Sequence, residues 1–179
     1  MINEAMRRLV SETSGAGTWG EIAERADAPE SFAALSYYDD DVTYALVGAA
    51  SDVLGTPAEG LLRDFGHYWS TRVGPENYSD ILGATGTDVV SVLSNLDHMH
   101  ARLQVLYPEL RPPSFSVSGG DGADSFEVHY SSERAGLAPF VVGLLEGLGD
   151  LYGTPAQVDH LAAPSSEQRY DVFRVTLAR

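Results

Sequence analysis

Near residue 110 the apolar residues of this chain change their period, and that change restricts the fold more than any other feature. Before it they recur every three or four positions. "INEAMRRLVSE" spaces Ile2, Met6, Leu9 and Val10 for one helical face. "VTYALVGAASDVLG" does the same with Val42, Ala45, Leu46, Ala49, Val53 and Leu54, until Gly55 stops it. "TPAEGLLRDFGHYW" opens with Thr56, Pro57 and Glu59, which predicts a capping box and a further helix. The next long helix is expected from Thr87 to Tyr107, ended by Pro108, Pro112 and Pro113. After that point "PSFSVS" and "DSFEVHYSS" alternate around the Gly-rich "GGDGAD", which predicts a hairpin, and "YDVFRVTLA" closes as a strand. "GLAPFVVGLLEGLGDLYG" is apolar enough for a buried helix despite its glycines. "TPAQVDHLAA" reads either as a second capped helix or as a strand; strand is preferred because an antiparallel sheet needs partners. A helical half followed by a half built on an antiparallel sheet is an α+β arrangement, and 179 residues suit one domain.

Composition removes whole classes of function. There is no cysteine, so disulfides, thiolate zinc sites, iron–sulfur clusters and thiol catalysis are excluded. Any metal must rest on His, carboxylate or Tyr. Lys plus Arg is 11 against 26 for Asp plus Glu, a net charge of −15. Such a surface repels nucleic acid and anionic membranes; it serves solubility or a basic partner protein. No apolar run reaches the ~18 residues of a membrane span, and "MINEAMRRLV" is not followed by the apolar stretch of a signal peptide. A cytoplasmic location is expected.

"NLDHMHARL" holds two histidines. On a helix, His100 lies four after Leu96, seven after Leu93 and three before Leu103, on the apolar stripe. His98 lies four after Ser94 and four before Arg102, on the polar face. The two rings are about 200° apart around the axis and cannot share a metal ion. His100 is therefore alone among leucines. A core histidine with one backbone hydrogen bond has this spacing; so does the proximal ligand of a haem, where the porphyrin supplies the other four nitrogens. A second constellation, "HYSSER", places Tyr130, Ser132 and Arg134 two apart in an extended segment, so that a phenol, a hydroxyl and a guanidinium converge. These donors suit a pair of carboxylates such as haem propionates; a polar strand end with a solvated Arg has the same pattern.

With these residues in view, the chain resembles the haem nitric oxide/oxygen binding (H-NOX) family, the sensor domain also found in soluble guanylate cyclase. The family's Tyr-x-Ser-x-Arg motif matches Tyr130, Ser132 and Arg134, and its proximal-histidine stretch is similar to "NLDHMHARL", with the ligand at His100. "YPELRPPSF", "DDVTYALVGAASDVLGTPAEGLL" and "ERAGLAPFVVGLLEGLG" also look like family segments, so the resemblance covers nearly the whole chain. It implies one haem-binding domain over residues 1–179. A helical N-terminal part covers about residues 1–60, and the remainder carries the proximal helix (about 87–107) and a four-stranded antiparallel sheet, with haem b between the parts. It implies that Pro113 presses on the porphyrin, which does not conflict with "RPPS" acting as a stiff helix stop. Family members commonly begin with Met, any residue and Gly before a Val/Ile-Asn pair. Here Ile2-Asn3 follows Met1 directly, and Ile2 is still expected on the distal side.

The resemblance also suggests which gas binds. Oxygen-binding members resemble one another in a distal tyrosine that donates to bound O₂. The corresponding position here is Phe140, flanked by Pro139 and Val141, none of which donates from a side chain. The other distal position falls on Trp69, whose family counterpart is an apolar ring; Trp69 is assigned to packing. The expectation is a non-enzymatic sensor whose ferrous, five-coordinate haem binds NO and CO and excludes O₂. NO would weaken the bond to His100, and a signalling protein in trans, a histidine kinase or a cyclic-dinucleotide enzyme, would read the change. Two other readings stand beside it. One is a peroxidase-like haem enzyme, for which no distal His–Arg pair is apparent and His67, His129 and His160 lack evident partners. The other is an apolar-ligand or protein-binding module without haem.

Overall fold

The computed structural model describes residues 2–33, 36, 38–108, 110–119, 124–164 and 169–178. Seven helices and four strands are described: α1 (Ile2–Ser14), α2 (Ala16–Arg25), α3 (Asp40–Leu54), α4 (Ala58–Tyr68), α5 (Gly74–Thr85), α6 (Val89–Leu106), β1 (Ser114–Gly119), β2 (Ser125–Ser131), α7 (Ala138–Leu151), β3 (Ala156–Ala162) and β4 (Asp171–Leu177). The expected α+β architecture is present, and the change of period near residue 110 is the passage from α6 to β1. The segment "TPAQVDHLAA" is a strand, β3, as preferred. The turn of the expected hairpin falls on residues 120–123, outside the described residues, but the pairing of β1 with β2 is antiparallel over Ser114↔Ser131 to Gly119↔Phe126. The sheet order is β1-β2-β4-β3, every pair antiparallel.

Several helix ends follow local chemistry. Gly55 ends α3 with φ 64° and ψ 24°, a left-handed conformation that costs glycine nothing. At the start of α6 the Asp88 carboxylate accepts from the Ser91 amide at 2.9 Å, and the Ser91 hydroxyl accepts from the Asp88 amide at 3.1 Å. This reciprocal cap is worth about 1 kcal/mol and holds the Asp88 carboxyl below its usual range. The capping box expected at Thr56 and Glu59 is not formed. The helix starts one residue later, with Pro57 as its cap and no side-chain bond. Thr56 belongs instead to the end of α3, where its carbonyl accepts from the Ser51 hydroxyl at 2.7 Å. Sequence reasoning also passed over α2, α5 and a π-helical turn, Trp69–Val73, inserted between α4 and α5.

The apolar residues form two clusters. The first gathers Met6, Val10, Trp19, Ile22, Leu46, Phe65 and Val73 from the helical half. The second packs Val89, Val92, Leu93 and Leu96 of α6 with Phe115, Phe126, Val128, Tyr130, Phe173 and Val175 of the sheet. Helix α7 belongs to both: Phe140 packs on the first, whereas Val141, Leu145 and Leu148 lie in the second. The joint is the contact of α4 with α7. A Cβ on Gly66 would strike the Phe140 carbonyl, and one on Gly143 would strike the Arg63 carbonyl. Ser70 donates to the Leu144 carbonyl at 2.8 Å in the same seam. Its edge is lined by Arg63–Glu146 at 2.6 Å and His67–Asp150 at 2.8 Å, each partner one helical turn from the next.

This close approach predicts a contrast between two glycines. Gly143→Ala should lower stability by about 3 kcal/mol, because backbone rather than a flexible side chain must move. Gly48→Ala, where a Cβ meets nothing within 4 Å on the exposed face of helix α3, should raise it by about 0.5–1 kcal/mol. Thermal unfolding of the two variants measures both changes.

Candidate functional site

Helix α6 fixes the two histidines as its period requires. Leu93 is fully buried and Leu96 is 9% exposed, and His100 continues their stripe as a half-buried ring. His98, on the other side, is exposed. The His100 ring faces the chain just before β1: its Nδ1 lies 3.1 Å from the Pro113 carbonyl oxygen. A carbonyl only accepts, so Nδ1 carries the proton in this bond and Nε2 keeps its lone pair. Burial holds the His100 pKa below that of a free imidazole, outweighing the opposing pull of the Pro113 bond and the Asp97 charge. The ring is thus neutral at pH 7, with its one available nitrogen in the form that ligates a metal. Among the described residues no group of three His, Asp or Glu side chains could hold a metal ion. His100 is suited to an iron whose remaining ligands come from elsewhere.

The segment just after the Pro113 carbonyl is held by a residue that sequence reasoning missed. Asp97, one turn before His100, accepts from the Ser114 hydroxyl at 2.6 Å and from the Phe115 amide at 2.8 Å. It thereby ties the start of β1 to α6. The only sequence signal was an acid three positions before a half-buried histidine, on the same face.

Strand register brings the second constellation beside this corner. Phe115 pairs with Tyr130, and Ser114 with Ser131. The Tyr130 ring is buried at 4% exposure and packs on Phe115 at 5.1 Å. Burial raises its pKa, outweighing the lowering pull of the nearby Ser132 hydroxyl, so the phenol keeps its proton. The Ser132 hydroxyl accepts from the Arg134 amide at 3.1 Å. The three motif residues therefore lie together, Ser132 and Arg134 joined by a bond and Tyr130 beside them. The Arg134 guanidinium donates to the Asp40 carboxylate at 2.9 Å and to the Arg111 carbonyl at 3.0 Å, and Tyr44 donates to the Ala135 carbonyl at 3.0 Å. Asp40 and Tyr44 lie in α3, so the motif is in contact with the helical half. Nothing local in "YDDD" signals a partner 94 residues away.

Two of the three expected distal residues come together on one ring, and the third lies apart. Phe140, in the first turn of α7, lies 5.5 Å from Phe65, and Trp69 meets the same ring edge-on at 6.3 Å. Phe65, which sequence reasoning did not single out, is the centre of this trio. The Trp69 indole N–H has no hydrogen-bond acceptor among the described residues. Ile2 is 39% exposed at the start of α1 and lies outside the buried cluster that holds the trio.

The remaining histidines do have partners, contrary to expectation. His67 pairs with Asp150 across the helix seam. His160 lies 2.8 Å from Asp171 and stacks on Phe173, and His129 stacks on Tyr170 at 4.9 Å. Each is engaged in packing or a surface pair, and none adjoins Trp69 or Phe140 in these contacts.

The tie between α6 and β1 generates a stability prediction. Asp97→Ala removes two charge-assisted bonds and strands the Phe115 amide, at a cost of about 2 kcal/mol. Asp97→Asn, which keeps an acceptor, should lose less. The midpoint of urea unfolding reads the difference.

Comparison with known proteins agrees with this geometry. The model of the Haem-NO-binding family matches residues 1–160. The chain is 32% identical over 150 residues to soluble guanylate cyclase gcy-35 of Caenorhabditis elegans, an alignment covering 80% of this chain and 21% of that protein. It is 35% identical over 98 residues to the guanylate cyclase soluble subunit beta-2 of Rattus norvegicus, covering 54% and 14%. The chain thus spans about a fifth of the length of curated relatives such as gcy-35. Among solved structures, the H-NOX protein from S. oneidensis in the Fe(II)NO ligation state superimposes with a TM-score of 0.85 at 19% identity, covering 99% of this chain and 98% of that one. The unliganded Fe(II) H-NOX protein from K. algicida gives 0.83 at 19%, covering 99% and 95%. The structural likeness establishes the fold, and the match over most of the sequence establishes the kinship: the chain belongs to the Haem-NO-binding (H-NOX) family of haem-binding sensor domains.

Proposed function

We propose that this chain is a haem-based gas sensor, one domain that binds NO and CO at ferrous haem b held by His100, excludes O₂ and signals to a separate protein. The observation that carries the reading is the His100–Pro113 bond. It fixes the tautomer, with the proton on Nδ1 and Nε2 free, on a ring that burial keeps neutral, in a chain of this family. The donor set fits the rest of the group. Tyr130, Ser132 and Arg134 offer a phenol, a hydroxyl and a guanidinium to carboxylate tails, and the haem propionates would compete with Asp40 for Arg134. When bound there, haem would supply an iron able to take a diatomic gas, with His100 as the protein's ligand to it.

The protein's own part is mechanical. While His100 is held, α6 is fixed at that residue and, through Pro113 and Asp97, at the start of β1. When His100 is let go, its Nδ1 still holds the Pro113 carbonyl, so α6 and the connector before β1 move as one piece. Arg134, Tyr44 and Asp40 link that corner to α3, which gives the movement a path to the helical half. A signalling enzyme such as a histidine kinase or a cyclic-dinucleotide enzyme is the partner this reading calls for. Discrimination against O₂ rests on Phe140, Pro139 and Val141, which present no donor; Trp69 packs on Phe65.

Two measurements test the reading. His100→Gly should abolish the Soret band of the reconstituted protein, restored by added imidazole, whereas His98→Ala should keep it; the opposite pattern refutes the assignment. The unmutated ferrous protein should change its spectrum with NO and CO but not with air, and Phe140→Tyr should introduce a measurable oxy form. A stable oxy spectrum without any substitution would refute the distal argument and point to the indole N–H of Trp69.

A further inference from the structure

We infer that the groove between α5 and α6 is a docking surface for an acidic, partly apolar segment of a partner protein, with Arg102 as the residue that binds its carboxylate. This rests on the gas-sensor reading in one respect: the groove lies on the back of the helix that carries His100, where a partner would sense that helix.

The groove has a volume of about 630 Å³, enough for several side chains. Ala84 and Thr85 of α5 line one wall, and His98, Met99, Arg102 and Val105 of α6 line the other. His98, Arg102 and Val105 are spaced four and three apart, which makes one continuous stripe on the side of α6 away from His100. Val105 is 81% exposed, far more than any other large exposed hydrophobic residue described. The stripe therefore offers an uncovered apolar contact beside a cation.

Its charge is anomalous for this chain. Acidic residues outnumber basic ones 26 to 11, yet none of the residues lining the groove is acidic. Arg63, Arg134 and Arg174 each sit within ion-pair distance of a carboxylate, as do most other arginines described. Arg102 is exposed and has neither ion pair nor hydrogen bond among the described residues. A guanidinium left unpaired amid such an excess of carboxylates is available to one brought from outside, and it binds in a bidentate fork. A second copy of this chain is disfavoured as the occupant, because bringing together two whole bodies of net charge −15 costs far more than seating one short segment whose carboxylate meets Arg102 directly.

The test uses the full chain, reconstituted with haem, and a fluorescent helical peptide with Glu and Leu on one face. Its counterpart has every Glu replaced by Gln. Anisotropy should show saturable binding of the Glu peptide, about tenfold tighter than the Gln peptide and weakening as salt rises. Arg102→Glu should lose binding about tenfold or more, Arg102→Gln should fall between, and Val105→Asp should also bind poorly. Equal binding of the two peptides, or undiminished binding by Arg102→Glu, overturns the inference. So does a wild-type dimer that Arg102→Glu disperses, since the groove then serves a second copy. Soret absorbance of the same samples separates the two readings. A normal band without peptide binding removes the docking surface alone, and a missing band in the wild type removes the haem reading.

Discussion

The direct approach of two helix backbones, α4 and α7, is the constraint on which the rest of this structure depends. Gly66 lies against the Phe140 carbonyl and Gly143 against the Arg63 carbonyl, so neither helix can carry a Cβ at its crossing. Because α7 belongs to both apolar clusters, this seam joins the helical half to the sheet half. It also sets where the first turn of α7 begins, and with it the position of Phe140 over Phe65. The charged pairs along its edge, Arg63–Glu146 and His67–Asp150, are partly exposed and add little free energy. Their contribution to register is partial, since sliding α7 by one turn would break both and bring only one acid opposite a base again.

A second joint, on the far side of the sheet's first hairpin, is built from polar contacts instead of close packing. His100 holds the Pro113 carbonyl, Asp97 holds Ser114 and Phe115, and Arg134 reaches both Arg111 and Asp40. Each bond joins elements from different parts of the chain. The apolar seam is costly to open, whereas these bonds exchange at modest cost. A molecule with one stiff joint and one exchangeable joint has a natural place to move.

Much of the architecture was legible because it comes from period and punctuation. The helical spacing before residue 110 and the alternation after it survive in the structure, down to β3, and the stripe of α6 sorted His98 from His100 without any tertiary information. The motif Tyr130, Ser132 and Arg134 was legible as a group of donors, since alternation in a strand is a local rule. What was missed is non-local. Asp40 finds Arg134 across the fold, Phe65 becomes the centre of an aromatic trio only when α7 crosses α4, and His67 and His160 acquire acids from other elements. The capping box at Thr56 failed for a local reason of a different kind: the residue was already used to finish the preceding helix, and a pattern match does not see that competition.

The π-helical turn at Trp69–Val73 has a consequence for chain length. Such a turn accommodates one more residue than regular α-helix would over the same rise, so it absorbs that residue without turning the segment that follows. Trp69 stands at its start, with Phe65 one turn behind it and α5 leading on to α6. A version of this polypeptide shortened by a single residue there would close to plain α-helix with its flanks nearly unturned. The same deletion inside α4 or α5 would swing the remainder of the run by more than a quarter of a revolution, since each residue of regular helix carries about 100°.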